Sequence, residues 1–238
     1  MSTPETELGW MAQGFGYFTD HLDALDDAAL EQPSALPGWT RKHLVSHLGF
    51  NARAVGRLVH WAGTGEVTPM YPNTSARAEE IAEGAQWSAS RLREFVRTEQ
   101  AALGAAMREL DEAAWGAPVI TGRGRTVPGA ELPWMRTREV WIHAVDLDNG
   151  GDFTDFPAAL IDRLVSEVVL KRRGGDAPRL TVRRTDRDPV LVGGGPLDVS
   201  PGRVEGTAAD LARWLTRRET RGVRTADGSP LPALGPWL

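Results

Sequence analysis

Cysteine is absent from the 238 residues, which removes disulfides, thiolate-bound metal and a cysteine nucleophile together. Any thiol chemistry must borrow its sulfur from outside the chain. No run approaches the ~20 apolar residues that span a bilayer, and MSTPETELGW at the N-terminus has neither a basic start nor an apolar signal core. Neither membrane insertion nor export is expected, and a cytoplasmic location is. An excess of positive charge is lacking too. The 27 basic and 32 acidic residues leave a formal charge of -5, so there is no electrostatic footprint for nucleic acid, although a local anion site has enough arginines to draw on. Internal repeats and low-complexity tracts are missing as well.

What is present is the composition of a soluble globular protein, with 41% hydrophobic and 25% charged residues. The length exceeds the ~100 to 200 residues of most single domains, and two domains are expected. Thr3 and Pro4 can open a first helix whose apolar residues, from Leu8 through Phe18 to Leu25, recur at three- and four-residue steps. After breaks at Gln32-Pro33-Ser34 and Pro37-Gly38, Thr40 can cap a second helix with the stripe Leu44, Leu48, Val55, Leu58 and Ala62, closed by glycine at 63 and 65. A loop through Pro69 and Pro72 precedes a short helical piece near Glu79. Ser88 then opens a third long helix, with Leu92, Phe95, Leu103, Met107 and Leu110 expected inward.

Residues 119 to 127 read as a loop or hairpin, and a fourth long helix runs from about Ala130 to Leu147. Four long helices joined this way predict a bundle over residues 1–150. Beyond Asn149-Gly150-Gly151 the pattern changes. A helix around 160–169 is followed by strand-like runs at 180–183, 190–192 and 197–199, and by a helix opened by Thr207 with Asp210 three residues on. Residues 151–238 are therefore expected to form a small α/β domain. The fold class is α plus α/β.

The chemistry-bearing residues lie on the second and fourth helices. At about 100° per residue, His47 falls roughly 60° from the stripe centre and Asn51 almost on it, so both point into the bundle. His60 falls on the opposite face, His43 beyond the stripe edge, and His21 on the first helix. An inward histidine by itself needs only two hydrogen-bond partners. The fourth helix, PWMRTREVWIHAVDL, is apolar on nearly every side and should be buried. Yet Arg136, Glu139, His143 and Asp146 form a continuous polar stripe along it.

A buried carboxylate needs partners or a proton. One reading of the stripe is an internal ion network. The other is a metal site in which Glu139 and His143, at i and i+4, supply an oxygen and a nitrogen from one face and His47 supplies a third ligand from a facing helix. Three protein ligands leave one or two coordination positions open, as in a catalytic zinc site. Arg123 and Arg125 in the 119–127 segment, and Arg217, Arg218 and Arg221 after the last helix, are candidates for a substrate carboxylate. Surface solvation, and for the last three a helix C-terminus, accounts for them equally well.

The runs GWTRKHLVSHLGFNARAVGRLVHWAGTGEVTPMY at 38–71 and GRTVPGAELPWMRTREVWIHAVDL at 124–147 resemble the mycothiol-dependent maleylpyruvate isomerases. The likeness covers nearly the whole chain, down to a proline-rich tail ending Trp-Leu. It implies a DinB-like four-helix bundle holding zinc, and a C-terminal domain similar to sterol-carrier folds. Carried over by motif position, the zinc ligands fall on His47, Glu139 and His143. The family's functional arginine falls on Arg218 in RWLTRRETRGV, where crowded arginines leave Arg217 and Arg221 as rivals. Arg125 and Asn51 are taken as substrate-binding candidates.

The implied reaction converts maleylpyruvate to fumarylpyruvate, a step of aromatic breakdown, with mycothiol as thiol cosubstrate. Adding a thiolate to the conjugated alkene turns the double bond into a single bond, and rotation followed by elimination gives the trans isomer. Zinc would either deprotonate the thiol or polarise the substrate's carbonyl. A mycothiol S-transferase begins with the same addition and remains an alternative, as does a non-catalytic metal- or ligand-binding protein. The expected partners are mycothiol and a small dicarboxylate, with no nucleic acid or membrane, and the chain is expected to act as a monomer.

Overall fold

A computed structural model describes residues 3–171, 180–187, 191–193 and 203–234. The first helix, α1 (Glu5–Asp23), follows Pro4 with no side-chain cap, so Thr3 does not make the bond expected of it. Glu5 and Glu7 instead place negative charge at the helix's positive end. The single turn α2 (Asp27–Leu30) is capped by Asp26. Thr40 opens α3 (Arg41–Thr64) as expected, and the Nδ1 of His43 takes the Thr40 backbone N–H to complete a capping box. His43 is thereby committed to starting the helix. Gly65, at φ 78°, ends it in the left-handed conformation that glycine adopts without strain.

Next come α4 (Ala76–Gly84), α5 (Ala89–Arg108), capped by Ser88, and α6 (Glu112–Gly116). Strands β1 (Pro118–Ile120) and β2 (Thr126–Pro128) pair antiparallel with Val119 opposite Val127, so this segment is a hairpin. A 3-10 turn, Gly129–Glu131, leads into α7 (Leu132–Asp146).

Helices α1, α3, α5 and α7 form the bundle, α1 lying along α7 and α3 along both α5 and α7. One core cluster holds Phe18, Leu22, Leu44, Leu48, Leu92 and Val96, and another holds Val55, Leu58, Leu103, Met107, Trp115 and Leu132. Each such side chain contributes about 1.5 to 3 kcal/mol on burial. Phe95 and Leu110 are only half-buried, contrary to the periodicity. Phe95 lies instead in a ring cluster with Phe50 and Trp87, over Gly49. At the contact of α1 with α7 the backbones come close. A Cβ on Gly14 would sit 2.4 Å from the Trp141 ring, whose Nε1 donates to the Trp10 carbonyl at 2.9 Å.

The chain divides into two compact units, Met1–Gly151 and Asp152–Leu238. In the second, α8 (Ala158–Lys171) is followed by β3 (Thr181–Arg184), β4 (Leu191–Gly193), β5 (Val204–Gly206), α9 (Ala208–Leu215) and β6 (Arg224–Thr225). The sheet order is β4-β3-β5-β6, with β3 and β5 parallel and the outer pairs antiparallel. Thr207 caps α9, but the Asp210 carboxylate accepts from the Thr207 hydroxyl rather than from its backbone N–H, so the box is not reciprocal. The strand expected at 197–199 lies outside the described residues, and β6 was not anticipated. Among the described residues no helix is long and apolar enough to cross a membrane.

Candidate metal centre

The capping box at Thr40 sets the phase of α3, and with it the direction of His47, which is buried among the bundle's side chains. Glu139 and His143 stand one turn apart on α7, both half-buried. The three meet. Glu139 Oε2 accepts from His47 Nε2 at 2.9 Å and from His143 Nε2 at 3.1 Å, and one ligand atom from each residue lies within 4.8 Å of the others. The imidazole rings of His47 and His143 stand edge to face, 4.9 Å between centroids, and Trp39 also packs edge to face on His47 at 5.5 Å.

Behind the cluster, the fully buried Asp146 accepts from His143 Nδ1 at 2.8 Å. A carboxylate on the far nitrogen is the usual support of a metal-bound histidine, because it fixes the ring and makes its free nitrogen more basic. His143 thus donates from both nitrogens. Burial alone would lower its pKa, but the bonds and charges of Asp146 and Glu139 raise it above 6.5. Burial dominates at His47 and, against the pull of Glu139, lowers its pKa from 6.5 to about 4. Burial would raise the pKa of Glu139, yet hydrogen bonds from His143 and His47 hold it well below the usual carboxylate range.

An ionised carboxylate facing two imidazole nitrogens is an N2O donor set suited to zinc. Ligands at ~2.0 to 2.2 Å from one ion sit roughly 3.3 Å apart in a tetrahedron. The two contacts to Glu139, at 2.9 and 3.1 Å, need only a few tenths of an ångström of opening to reach that spacing. The residues therefore fit a metal, and the carboxylate occupies the position where an ion's charge would be neutralised.

Of the other predicted residues, Asn51, Arg123 and Arg125 are in the first unit and Arg217, Arg218 and Arg221 in the second. Asn51 is buried and accepts from Arg136 Nη1 at 2.8 Å. Arg136, fully buried, also donates to the Leu48 carbonyl and to Gln100, both at 2.9 Å, and burial lowers its pKa to about 10. Asn51 therefore braces α7 against α3, and an inward direction on a helix does not by itself say which inward group it meets. Arg123 and Arg125 are exposed on the β1–β2 turn. Arg218, in the second unit, is half-buried and donates to the Thr216 carbonyl at 2.5 Å. Arg217 is exposed with φ 65°, and Arg221 pairs with Asp152 at 3.0 Å.

The structure adds Arg77 on α4, whose Nη2 lies 3.4 Å from His47 Nδ1, and Tyr71, whose pKa is raised by burial against the charge of Arg77. Sequence reasoning passed over both. Nothing in the local spacing around a short helix marks an arginine that reaches another helix.

Residues 11–148 match the family model described as the mycothiol maleylpyruvate isomerase N-terminal domain. A crystal structure of the mycothiol-dependent maleylpyruvate isomerase superposes with a TM-score of 0.90 at 36% identity, covering 99% of this chain and 100% of that one. The chain belongs to the mycothiol-dependent maleylpyruvate isomerase family. A mutant of that isomerase with a histidine replaced by alanine gives the same TM-score, identity and coverage. YfiT from Bacillus subtilis, described as a probable metal-dependent hydrolase with an unusual four-helix bundle topology, shares the fold alone. Its TM-score is 0.50 at 13% identity, with 62% of this chain and 88% of that one covered. No curated protein sequence matches. The fold is thus the DinB-like bundle followed by a small α/β unit, and the family model spans His47, Glu139 and His143 but stops short of Arg218.

Proposed function

We propose that this family member isomerises maleylpyruvate to fumarylpyruvate with mycothiol as cosubstrate, at a zinc ion held by His47, Glu139 and His143. The observation that carries the reading is the convergence of these three side chains, within 4.8 Å, in a chain that is 36% identical over 99% of its length to a mycothiol-dependent maleylpyruvate isomerase. When bound, zinc would supply Lewis acidity, deprotonating a coordinated thiol or drawing charge from a substrate carbonyl.

The protein's own residues do the rest. Asp146 holds the His143 ring so that Nε2 faces the site. Trp39 and His143 both pack against the ring of His47. The mycothiol sulfur adds to the alkene carbon and the electron pair moves into the conjugated carbonyl. The resulting single bond rotates, and elimination returns the thiolate with the trans alkene. Neither an oxidant nor a reductant is consumed. A chain without cysteine fits a reaction whose only sulfur nucleophile arrives with the cosubstrate. Arg218 and Arg125 are proposed to meet the substrate's negative charge.

The test is to incubate the zinc-loaded protein with maleylpyruvate, with and without mycothiol, and to follow fumarylpyruvate. Thiol-dependent formation is expected. Turnover without thiol would overturn the mechanism, and a stable thioether with no isomerisation would make the protein a transferase.

A further inference from the structure

Among the described residues most arginines of the bundle that bear on its packing have a partner of opposite charge or a carbonyl. Arg53 pairs with Glu99 at 2.6 Å, Arg97 with Asp23 at 2.5 Å and Arg57 with Glu80 at 3.4 Å, while Arg41 donates to three backbone carbonyls. Arg77 differs. It is exposed on α4, no carboxylate among the described residues lies within ion-pair distance of it, and its Nη2 lies 3.4 Å from His47 Nδ1. Its cationic head therefore stands at the edge of the cluster without a counter-charge.

Guanidinium has five N–H donors and no acceptor, and the contact with His47 Nδ1 engages only one edge of it. At 3.4 Å the contact is already long, and an exposed side chain on a flexible stem can leave it at little cost. What Arg77 lacks is an anionic acceptor, and a planar carboxylate matches its fork of donors.

We propose that Arg77, standing at the edge of the His47, Glu139 and His143 cluster without a carboxylate partner, is the arm that receives a substrate carboxylate at this site. The inference deepens the isomerase reading and rests on it. It places a specificity-determining residue on α4, in the same unit as the metal ligands, and selects for substrates with a carboxylate.

The test uses the zinc-loaded full-length chain with Arg77→Ala and Arg77→Lys. Loss of one charge-assisted contact should raise KM for maleylpyruvate about 10- to 100-fold in Arg77→Ala while kcat changes less than about threefold and KM for mycothiol is unmoved. Arg77→Lys should recover part of the loss, since the charge returns without the fork. Zinc content by emission spectroscopy should equal that of the wild type, because removing a nearby cation does not weaken a cation site. If the wild type turns over and Arg77→Ala keeps its KM, or if Arg77→Ala loses zinc, the role given to Arg77 is wrong and the isomerase reading stands. If the wild type does not isomerise maleylpyruvate, both fall.

Discussion

Replacing Asp146 by asparagine tests whether the polar stripe of α7 serves a metal. Asp146 is fully buried and its Oδ2 lies 2.8 Å from Nδ1 of His143. Asparagine has the same shape and its oxygen can still accept from Nδ1–H, so the ring keeps its place and tautomer while the negative charge behind it goes. A hydrogen bond to a charged group contributes ~1.5 to 3 kcal/mol against ~0.5 to 1.5 for a neutral one. The difference, about 1 to 1.5 kcal/mol, corresponds to a roughly tenfold weaker zinc affinity. Asp146→Ala, which leaves Nδ1 without this acceptor, belongs at the upper part of the ~10- to 100-fold range for such supporting residues. Competition against a chromogenic chelator measures both, with circular dichroism to show that the helices persist. Affinities within twofold of wild type in both variants would refute the assignment of Asp146 as the support of a metal ligand, and would return the stripe to an internal ion network.

Three further outcomes follow from the same geometry. His143 donates from both nitrogens and its pKa is raised above 6.5, so at pH 6.5 zinc uptake should release more than roughly half a proton per ion; calorimetry in buffers of different ionisation enthalpy counts it, and no release would contradict the doubly donating ring. In the metal-free protein His47, lowered to about 4, contributes stability that is complete above its unfolded value near 6.5 and is lost as pH falls toward 4, up to ~3 kcal/mol. Glu139, also lowered, loses its contribution at lower pH still, whereas His143, raised, loses its own as pH rises. Urea titrations at stepped pH should therefore show a steeper decline between 6.5 and 4 in the wild type than in His47→Gln; equal slopes would rule out His47 as the cause. Finally, Arg136→Ala removes a buried cation that joins Gln100, Leu48 and Asn51, and should cost about 3 to 5 kcal/mol in urea unfolding, with Arg136→Met less harmful because it fills the space. A cost below ~1 kcal/mol would show that this brace is dispensable.

Helix periodicity is a local property, and for that reason much of the bundle and the directions of the three candidate ligands were legible in the amino-acid sequence. The Thr40 and Ser88 caps, the inward phase of His47 and the i, i+4 pairing of Glu139 with His143 depend only on the backbone within a turn or two. The absence of cysteine likewise excluded an internal thiol before any fold was known. Contacts between distant segments were not legible. His47 and Glu139 are 92 residues apart, and only the packing of α3 along α7 brings their atoms to 2.9 Å. The tertiary packing likewise set Asn51 against Arg136 and carried Arg77, on the short helix α4, to His47. A side chain's direction follows from its own helix, but its partner is chosen by whichever helix lies opposite, and only the tertiary structure decides that.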